Sequence, residues 1–483
     1  MLVCRHWRAL AVSNPRLWQT IYIKKRPEWL ETSVLRSGNI PLDITLKGGE
    51  AYMVHPIYEQ ILSHSLPILS SVQHRLRRFR IFPLSPPGYN NALKLLKGNL
   101  PALEQLSLCV LARVGFGSRL TSLGFSLSQL PSLRDLCLEH LCVTWEPSVG
   151  ASLRRLVLRD CVLKSSTTGK LFHTLDEMVD VLDSCRSLEE LKLHGVLASI
   201  PTNTISEPSR RKTCFPKLRK FVIWDNAPTI SLLLSHLQLP VTAQVRLASY
   251  VTMYQREVRN LSHILSSFLP QDRTGLPHLR AATEARVSFV RMDSKIQAWC
   301  GDTKLTLKIR TTGTYLTDYL QRALGELRDV FSEAPLEHLT ISGDFSTVQD
   351  TMPWVETFTA FPTLETMYVD GYGPPLTLVS ALAHTISKPT QDPLGSDDGQ
   401  AQMVVCPNLR EVQMTDLSWQ PGFIEAVITT LRRRSTVLGR PGLEKFGMNA
   451  FVDDDQQAEF DETMKLYRDE LASLVPRVEI RKV

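Results

Sequence analysis

A six-residue pattern of apolar side chains recurs along this chain and restricts the fold more than any other feature. The pattern has apolar residues at its first, fourth and sixth positions and variable residues between them. Its copies begin at Leu76, Leu103, Leu133, Leu153, Leu188, Leu218, Leu336, Leu364, Leu409 and Leu443. Most neighbouring copies are roughly 20 to 35 residues apart, which is a period typical of stacked structural repeats.

The spacing inside and between the copies indicates alternating strands and helices. The last three positions of each copy alternate apolar and variable residues, as a short strand with one buried face does. Apolar residues at helical spacing lie between copies, in the stripes Leu171–Leu182, Leu316–Phe331 and Phe460–Leu474. Such a unit buries its apolar face only against neighbouring units. The sequence therefore predicts an α/β, leucine-rich-repeat-like solenoid with a parallel β-sheet on its concave side and helices outside. The alternative is an ordinary multidomain α/β protein.

Two segments interrupt the repeats. Residues 197–213 are rich in Ser, Thr and Pro, and residues 388–402 combine Pro, Gly and acidic residues without an apolar stripe. Both are predicted to be surface insertions. The solenoid is expected to cover residues 71–483, and residues 25–70 are expected to form a linker helix and the first solenoid elements.

One gap between copies is much longer than the others. It runs from Leu218 to Leu336, which is long enough for about four units. Degenerate strands are predicted inside it at Ala243–Leu247, Arg286–Val290 and Lys304–Ile309, where apolar and polar residues alternate.

The N-terminal residues resemble the second half of an F-box domain. The sequence VCRHWRALA (Val3–Ala11) is similar to the last F-box helix, and NPRLWQTIYI (Asn14–Ile23) is similar to the turn and strand after it. The continuation to residue 46 and the segment Thr229–Ser249 resemble F-box proteins with degenerate leucine-rich repeats that are expanded in mushroom-forming fungi. The resemblance implies that residues 1–24 are a partial F-box and that the repeats recruit a target protein. The residues implied to contact the Skp-type adaptor of a cullin ubiquitin ligase are Val3, Cys4, Trp7, Leu10, Pro15, Leu17 and Trp18.

The N-terminal segment has a second interpretation. In the F-box family a Leu-Pro-x-Glu helix precedes the tryptophan helix, whereas here Met1 already lies within the last helix. Either the sequence is truncated at this end or the chain no longer docks the adaptor. Leu17 and Trp18 are expected to pack on Trp7, and in the second case the segment would form an apolar cap on the first repeat.

Charge and cysteine content restrict the partners. Residues 1–40 contain seven Lys or Arg residues and two Glu residues, so they hold five of the six net positive charges. A nearly neutral remainder argues against a nucleic-acid partner. Nine scattered cysteines without a CxxC pair favour reduced thiols in a cytoplasmic or nuclear protein. Because no apolar run is long enough to span a bilayer, no membrane partner is expected.

Motifs for chemistry are missing from the sequence. It contains no HExxH, no phosphate-binding GxxxxGK[ST] and no GxSxG elbow, so no catalytic residue, cofactor or metal is expected. The runs Asp453–Asp455 and Arg432–Arg434 are predicted to be solvated.

What remains is recognition of another protein by the concave face. The variable positions of the strands point to that face. Candidate partner-binding residues are Arg155, Arg159, Lys192, His194, Trp224 and Tyr368, of which the first two are predicted to form a local basic spot. The predicted function is a substrate-recognition subunit of an SCF-type ubiquitin ligase. The alternatives are a repeat scaffold without a link to ubiquitin and, less well supported, an enzyme on an α/β frame.

Overall fold

The computed structural model describes residues 4–23, 28–47, 56–111, 120–165, 168–172, 174–200, 212–252, 265–290, 293–312, 319–387 and 402–482. They form two compact units, Met1–Ala243 (unit 1) and Gln244–Val483 (unit 2). Each unit combines helices with a largely parallel sheet, so the predicted α/β class is confirmed. Val3 lies outside the described residues.

Unit 1 alternates strands with helices or short 3-10 turns. Its strands are β1 (Thr20–Ile23), β2 (Leu42–Lys47), β3 (Leu76–Leu84), β4 (Gln105–Val110), β5 (Thr121–Ser122), β6 (Asp135–Glu139), β7 (Leu141–Trp145), β8 (Arg155–Arg159), β9 (Val162–Ser165), β10 (Glu190–His194), β11 (Thr213–Cys214), β12 (Lys220–Trp224) and β13 (Leu237–Gln238). Its helices are α1 (Arg5–Ser13), α2 (Glu28–Arg36), α3 (Pro56–Ser71), α4 (Pro86–Leu96), α5 (Pro147–Gly150), α6 (Leu175–Ser184) and α7 (Ala227–Ser235).

The main sheet of unit 1 follows the order of the chain. Its parallel strands pair as β1–β2–β3–β4–β6–β8–β10–β12. From β4 onward each strand begins two residues after the first Leu of a repeat copy, which is itself buried. The strands β4, β6, β8, β10 and β12 align without a shift, so one row across them consists of Leu106, Leu136, Leu156, Leu191 and Phe221.

This alignment explains why the repeats form strands. The apolar residues of the row lie on one face and are almost completely buried. Alternate residues point to the opposite face, which we call the strand face. Every repeat thus buries its apolar triplet beside the triplets of its neighbours, and burial of a leucine side chain contributes about 1.5–3 kcal/mol.

Unit 2 has longer strands and longer helices. Its strands are β14 (Gln244–Thr252), β15 (Glu284–Val290), β16 (Asp293–Cys300), β17 (Thr303–Thr312), β18 (His338–Asp344), β19 (Thr366–Tyr372), β20 (Thr385–Ser387), β21 (Gln402–Val404), β22 (Glu411–Ser418), β23 (Lys445–Phe451) and β24 (Arg477–Lys482). Its helices are α8 (His278–Ala281), α9 (Tyr319–Phe331), α10 (Met352–Ala360), α11 (Leu376–Leu382), α12 (Phe423–Leu438) and α13 (Gln457–Leu474).

From β15 onward most of unit 2 repeats the pattern of unit 1. The parallel strands β15, β18, β19, β22, β23 and β24 are neighbours in that order. The helices α9 to α13 pack against one another in chain order. The predicted helical stripes match α6, α9 and α13, although Leu171 lies before α6 and is exposed. Leu316, the first residue of the second stripe, lies outside the described residues.

The long gap between repeat copies differs from the prediction. All three predicted strands are present, as β14, β15 and β17, but β16 lies between β15 and β17 and is antiparallel to both. β14 then pairs with β17. Gly301 and Asp302 connect β16 to β17, and Gly301 has a positive φ of 59°. A two-residue hairpin of this kind replaces the crossover of a parallel repeat.

The boundaries of the two predicted insertions also differ. Leu197 and Ile200 are buried, and Thr213 is buried and pairs with β13. These residues therefore belong to the packed structure. Residues 201–211 and 388–401 lie outside the described residues.

Candidate interaction surface

The strand face of unit 1 brings together five of the predicted partner-binding residues. In the shared register, Arg155 lies beside Glu190, and Lys192 lies two residues further along the same strand. Arg159, His194 and Trp224 form the next row across β8, β10 and β12. The alternation of strand side chains therefore places all five on one surface, as predicted.

The predicted basic spot at Arg155 and Arg159 is wrong. Nε of Arg155 lies 2.8 Å from a carboxylate oxygen of Glu190, and Nη1 of Arg159 lies 3.5 Å from a carboxylate oxygen of Glu139. Lys192 pairs with Glu190 as well. Because Glu139 of β6 and Glu190 of β10 lie beside these cations, the surface has alternating charges.

Glu190 lies at the centre of this charge network. Burial alone would raise the pKa of its carboxyl group, but the hydrogen bond from Lys192 and the nearby positive charges outweigh burial and lower the pKa. The carboxylate is thus held in its charged form between cations of β8 and β10. A partner for this region must match both signs of charge.

The edge of this surface combines aromatic and titratable groups. The rings of His194 and Trp224 pack edge to face, with centroids 4.9 Å apart. Nδ1 of His194 lies 3.7 Å from Asp160, and Nδ1 of His140 lies 3.8 Å from the same carboxylate. The nearby imidazole of His194 is the main cause that lowers the pKa of Asp160, although burial opposes it. Both Trp224 and His194 are partly exposed, as an anchor for a partner requires.

Unit 2 has a depression on its strand face, and the sixth predicted residue lies in it. Its volume is about 540 Å³. The lining residues come from β15, β18, β19 and β22, and they are Glu284, Arg286, His338, Thr340, Ser342, Tyr368, Asp370 and Thr415. Tyr368 is 39% exposed, and the hydroxyl of Thr415 donates to Asp370 over 3.1 Å. A depression with an exposed tyrosine and mixed polar groups is suited to hold a side chain of a protein partner.

The N-terminal residues form the helix and turn that the F-box resemblance implies. The thiol of Cys4 accepts a hydrogen bond at the start of α1, and Pro15 begins a 3-10 turn at Pro15–Trp18. The indole of Trp18 donates to the carbonyl of Ala11 over 2.8 Å, and the guanidinium of Arg36 lies 4.6 Å from the Trp18 ring centroid. Trp18 therefore links α1 to α2.

The expected cap over the first repeat is not formed by this segment. No residue of α1 is buried. Trp7 is 66% exposed, Leu10 47% and Leu17 62%. These side chains form an exposed apolar surface, which we call the N-terminal apolar surface.

Arg434 corrects the interpretation of the run Arg432–Arg434. Arg432 and Arg433 are exposed as predicted, whereas Arg434 is completely buried. Its guanidinium donates to the carbonyls of Leu382 and Val405 over 2.9 Å, and to that of Cys406 over 3.0 Å. Burial lowers the pKa of Arg434 to about 10, so it is still charged at neutral pH. Arg434 has a structural role because it lies on α12 near β21. The run of three arginines does not by itself indicate which of them is buried.

Among the described residues, surfaces that could bind a partner are easier to identify than groups that could react. Within them, no cluster of three or more His, Cys, Asp or Glu side chains is arranged to hold a metal ion. Burial raises the pKa of the thiols of Cys161, Cys185 and Cys406 to about 12. At neutral pH these thiols are protonated and are poor nucleophiles.

The comparisons with protein-family models and with curated proteins find no match to this chain. Among the helices that the structure describes, none combines the length and apolarity needed to cross a bilayer.

Sequence reasoning missed the antiparallel hairpin of β16 and β17 and the charges on it. A signal was present, because Gly301-Asp302 separates two stretches of alternating residues, which is a typical hairpin pattern. The repeat pattern predicts β17 as a strand of a parallel repeat and does not account for β16.

Proposed function

We propose that this chain is a leucine-rich-repeat-like solenoid that recognises a target protein within an SCF-type ubiquitin ligase. Its strand face would bind the target, and its N-terminal segment would dock the Skp-type adaptor. The protein would act inside the cell, in the cytoplasm, the nucleus or both.

The regular pairing of strands supports a solenoid. Each repeat copy in unit 1 from Leu103 onward contributes one parallel strand, and the strands follow one another without a register shift. Successive helices likewise pack in chain order in unit 2. Stacked βα repeats have these two properties because each repeat contacts its neighbours.

The strand face supports recognition of a protein. In unit 1 it presents paired charges around Glu190 and the partly exposed rings of Trp224 and His194. In unit 2, described by itself, it contains the depression at Tyr368. Aromatic anchors surrounded by polar groups are typical of protein interfaces.

The observation that carries the adaptor proposal is the N-terminal apolar surface. An amphipathic helix ordinarily covers its apolar side, yet Trp7, Leu10 and Leu17 lie largely in solvent. A partner that covers these side chains would gain about 25 cal/mol for each Å² of apolar area removed from water. The F-box resemblance assigns this contact to the adaptor.

Binding to a purified Skp-type adaptor tests the proposal. The chain is prepared together with any residues that its gene encodes upstream, and affinity is measured by calorimetry. We expect binding, and we expect the double substitution W7A/L17A to weaken it at least about tenfold, since each lost anchor contributes more than about 1 kcal/mol.

A matched control comes from α2. Leu35 is 80% exposed and lies outside the N-terminal apolar surface, so L35A should leave the adaptor affinity unchanged. If the full chain does not bind the adaptor, the ubiquitin-ligase assignment is wrong and a repeat scaffold without that link remains.

A further inference from the structure

The hairpin of β16 and β17 gives the strand face of unit 2 a different set of side chains from that of unit 1. β15, β16, β17 and β14 are consecutive neighbours, and one row across them contains Arg286, Gln297, Thr306 and Arg246. These residues lie on the side opposite the buried Val287, and the polar Gln297 and Thr306 in the middle are nevertheless buried. The rows on either side of this one contain longer side chains.

Those longer side chains are cationic. Lys295 and Lys308 are directly opposite each other on the antiparallel strands β16 and β17. Lys304 lies opposite Trp299 in the row on the other side of Gln297. We call Arg246, Arg286, Lys295, Lys304 and Lys308 the basic patch.

The charges of the basic patch act on one another. The pKa of Lys295 is lowered by burial and then by the positive charges of Lys304, Lys308, Arg246 and Arg286. Burial and the charge of Arg286 lower the pKa of Lys304, whereas Glu284 opposes this effect. Like charges opposite each other on neighbouring strands destabilise a sheet.

In the described part of the chain, acidic side chains do not pair with all the cations of the basic patch. There, Arg246, Arg286 and Lys295 have no salt-bridge partner. This differs from unit 1, where Arg155 and Arg159 pair with carboxylates of neighbouring strands and Lys192 pairs with Glu190 of its own strand. The same alternation of strands thus produces paired charges in one unit and repelling charges in the other.

Trp299 keeps two of these cations at the surface. Nζ of Lys304 lies 4.4 Å from the ring centroid, and the guanidinium carbon of Arg286 lies 5.7 Å from it. A cation at this distance from an indole is attracted to the ring face. The ring orients the positive charges without neutralising them, which leaves them able to attract an anion.

We propose that the basic patch binds an acidic segment of a protein, in which several Asp or Glu side chains lie close together. This inference rests on the proposed protein-binding role of the strand face and adds the charge class of the partner. Anionic side chains would interact favourably with the cations and relieve the repulsion between them.

The size of the patch favours a peptide. Four strands at the usual spacing span roughly 15 Å. An extended chain covers this distance with about five residues. A nucleic acid would need a longer track of cations, and the adjoining depression presents the carboxyl-bearing residues Glu284 and Asp370 instead.

Fluorescence anisotropy with a labelled ten-residue peptide of alternating Glu and Ser tests the proposal on the full chain. We expect saturable binding that weakens with salt, and a peptide with Gln in place of Glu should bind at least tenfold more weakly. The variant K295Q/K304Q should lose at least tenfold in affinity for the Glu peptide. Because it removes repelling charges, it should unfold at the same or a higher temperature than the parent, which separates lost binding from lost folding.

The matched control is K94Q/K97Q, which removes two exposed positive charges near the end of α4. It should bind the Glu peptide as the parent does. Equal affinity of K295Q/K304Q and the parent would overturn the proposal. Tighter binding of a ten-nucleotide single strand, with the same dependence on Lys295 and Lys304, would also overturn it and indicate a nucleic-acid surface.

The adaptor experiment separates this inference from the proposed function. K295Q/K304Q should bind the Skp-type adaptor normally. If the peptide fails to bind while the adaptor binds, the acidic-partner inference is wrong and the ligase proposal stands. If the adaptor does not bind while the peptide does, the ligase proposal is wrong and the acidic-partner inference stands.

Discussion

Nδ1 of His194 lies 3.7 Å from a carboxylate oxygen of Asp160, which directly follows the neighbouring strand β8. The contact connects the ends of two consecutive repeats. Because the pKa of Asp160 is lowered in the folded chain, its charged form favours folding. This contribution is present above the pKa of Asp160 in the unfolded chain and is lost as the pH falls through the folded value.

The substitution D160N tests that contribution. Asn also tolerates the positive φ of 47° at this position, so the backbone is little disturbed. We expect a loss of stability at pH 7 of less than about 1 kcal/mol, because the carboxylate is partly exposed and is screened by solvent. Unfolding midpoints of parent and variant should converge as the pH is lowered from 7 to below 4. A difference that grows in acid would contradict this account.

Gly195 provides a second test at the same place. It follows β10 with a φ of 62°, and a Cβ atom there would overlap the carboxylate of Asp160. We expect G195A to destabilise unit 1 by about 1–3 kcal/mol, through backbone strain and this overlap. Chemical denaturation monitored by tryptophan fluorescence measures the loss.

Gly169 is the matched control for that substitution. It has a similar φ of 66°, but nothing lies near the position of its missing Cβ. G169A should therefore show the backbone strain alone and a smaller loss than G195A. Equal losses at the two positions would mean that the overlap with Asp160 has no effect.

Arg434 stabilises the packing of α12 in unit 2. Substitution R434M would leave the carbonyls of Leu382, Val405 and Cys406 without their donor. Each unsatisfied buried acceptor costs about 1–3 kcal/mol, so we expect a total loss of at least about 3 kcal/mol. The neighbouring R433M removes an exposed guanidinium and should change stability by less than about 0.5 kcal/mol. Similar thermal midpoints for both variants would contradict the structural role of Arg434.

The sequence predicts most of the strand face but not the hairpin. The copies from Leu103 onward indicated the parallel strands because apolar triplets must be buried at a fixed spacing. The alternation alone could not show that β16 is antiparallel to β15 and β17, since an antiparallel strand has the same alternation as a parallel one. The near-neutral charge of the chain after residue 40 also concealed the basic patch, because net charge averages over acids located elsewhere.

The sequence likewise could not predict which charged side chains pair with one another. Arg155 and Arg159 are four residues apart, and their position on one strand suggested a basic spot. Their partners Glu190 and Glu139 come from neighbouring strands, so only the register reveals the pairs. The exposure of Trp7 and Leu17 could not be predicted either, because an amphipathic helix with this sequence is compatible with a cap and with a docking surface.

Site-specific photo-crosslinking tests most directly whether the strand face is the surface that binds target proteins. A photoreactive residue is introduced at Trp224 or Tyr368 on the strand face, and at the exposed helix positions Asp180 or Glu425 as controls. After irradiation of cells that express the full chain, we expect covalent adducts of one or a few target proteins at Trp224 or Tyr368 and none of them at Asp180 or Glu425. Adducts of the same targets at the helix positions, with none at the strand positions, would contradict the account.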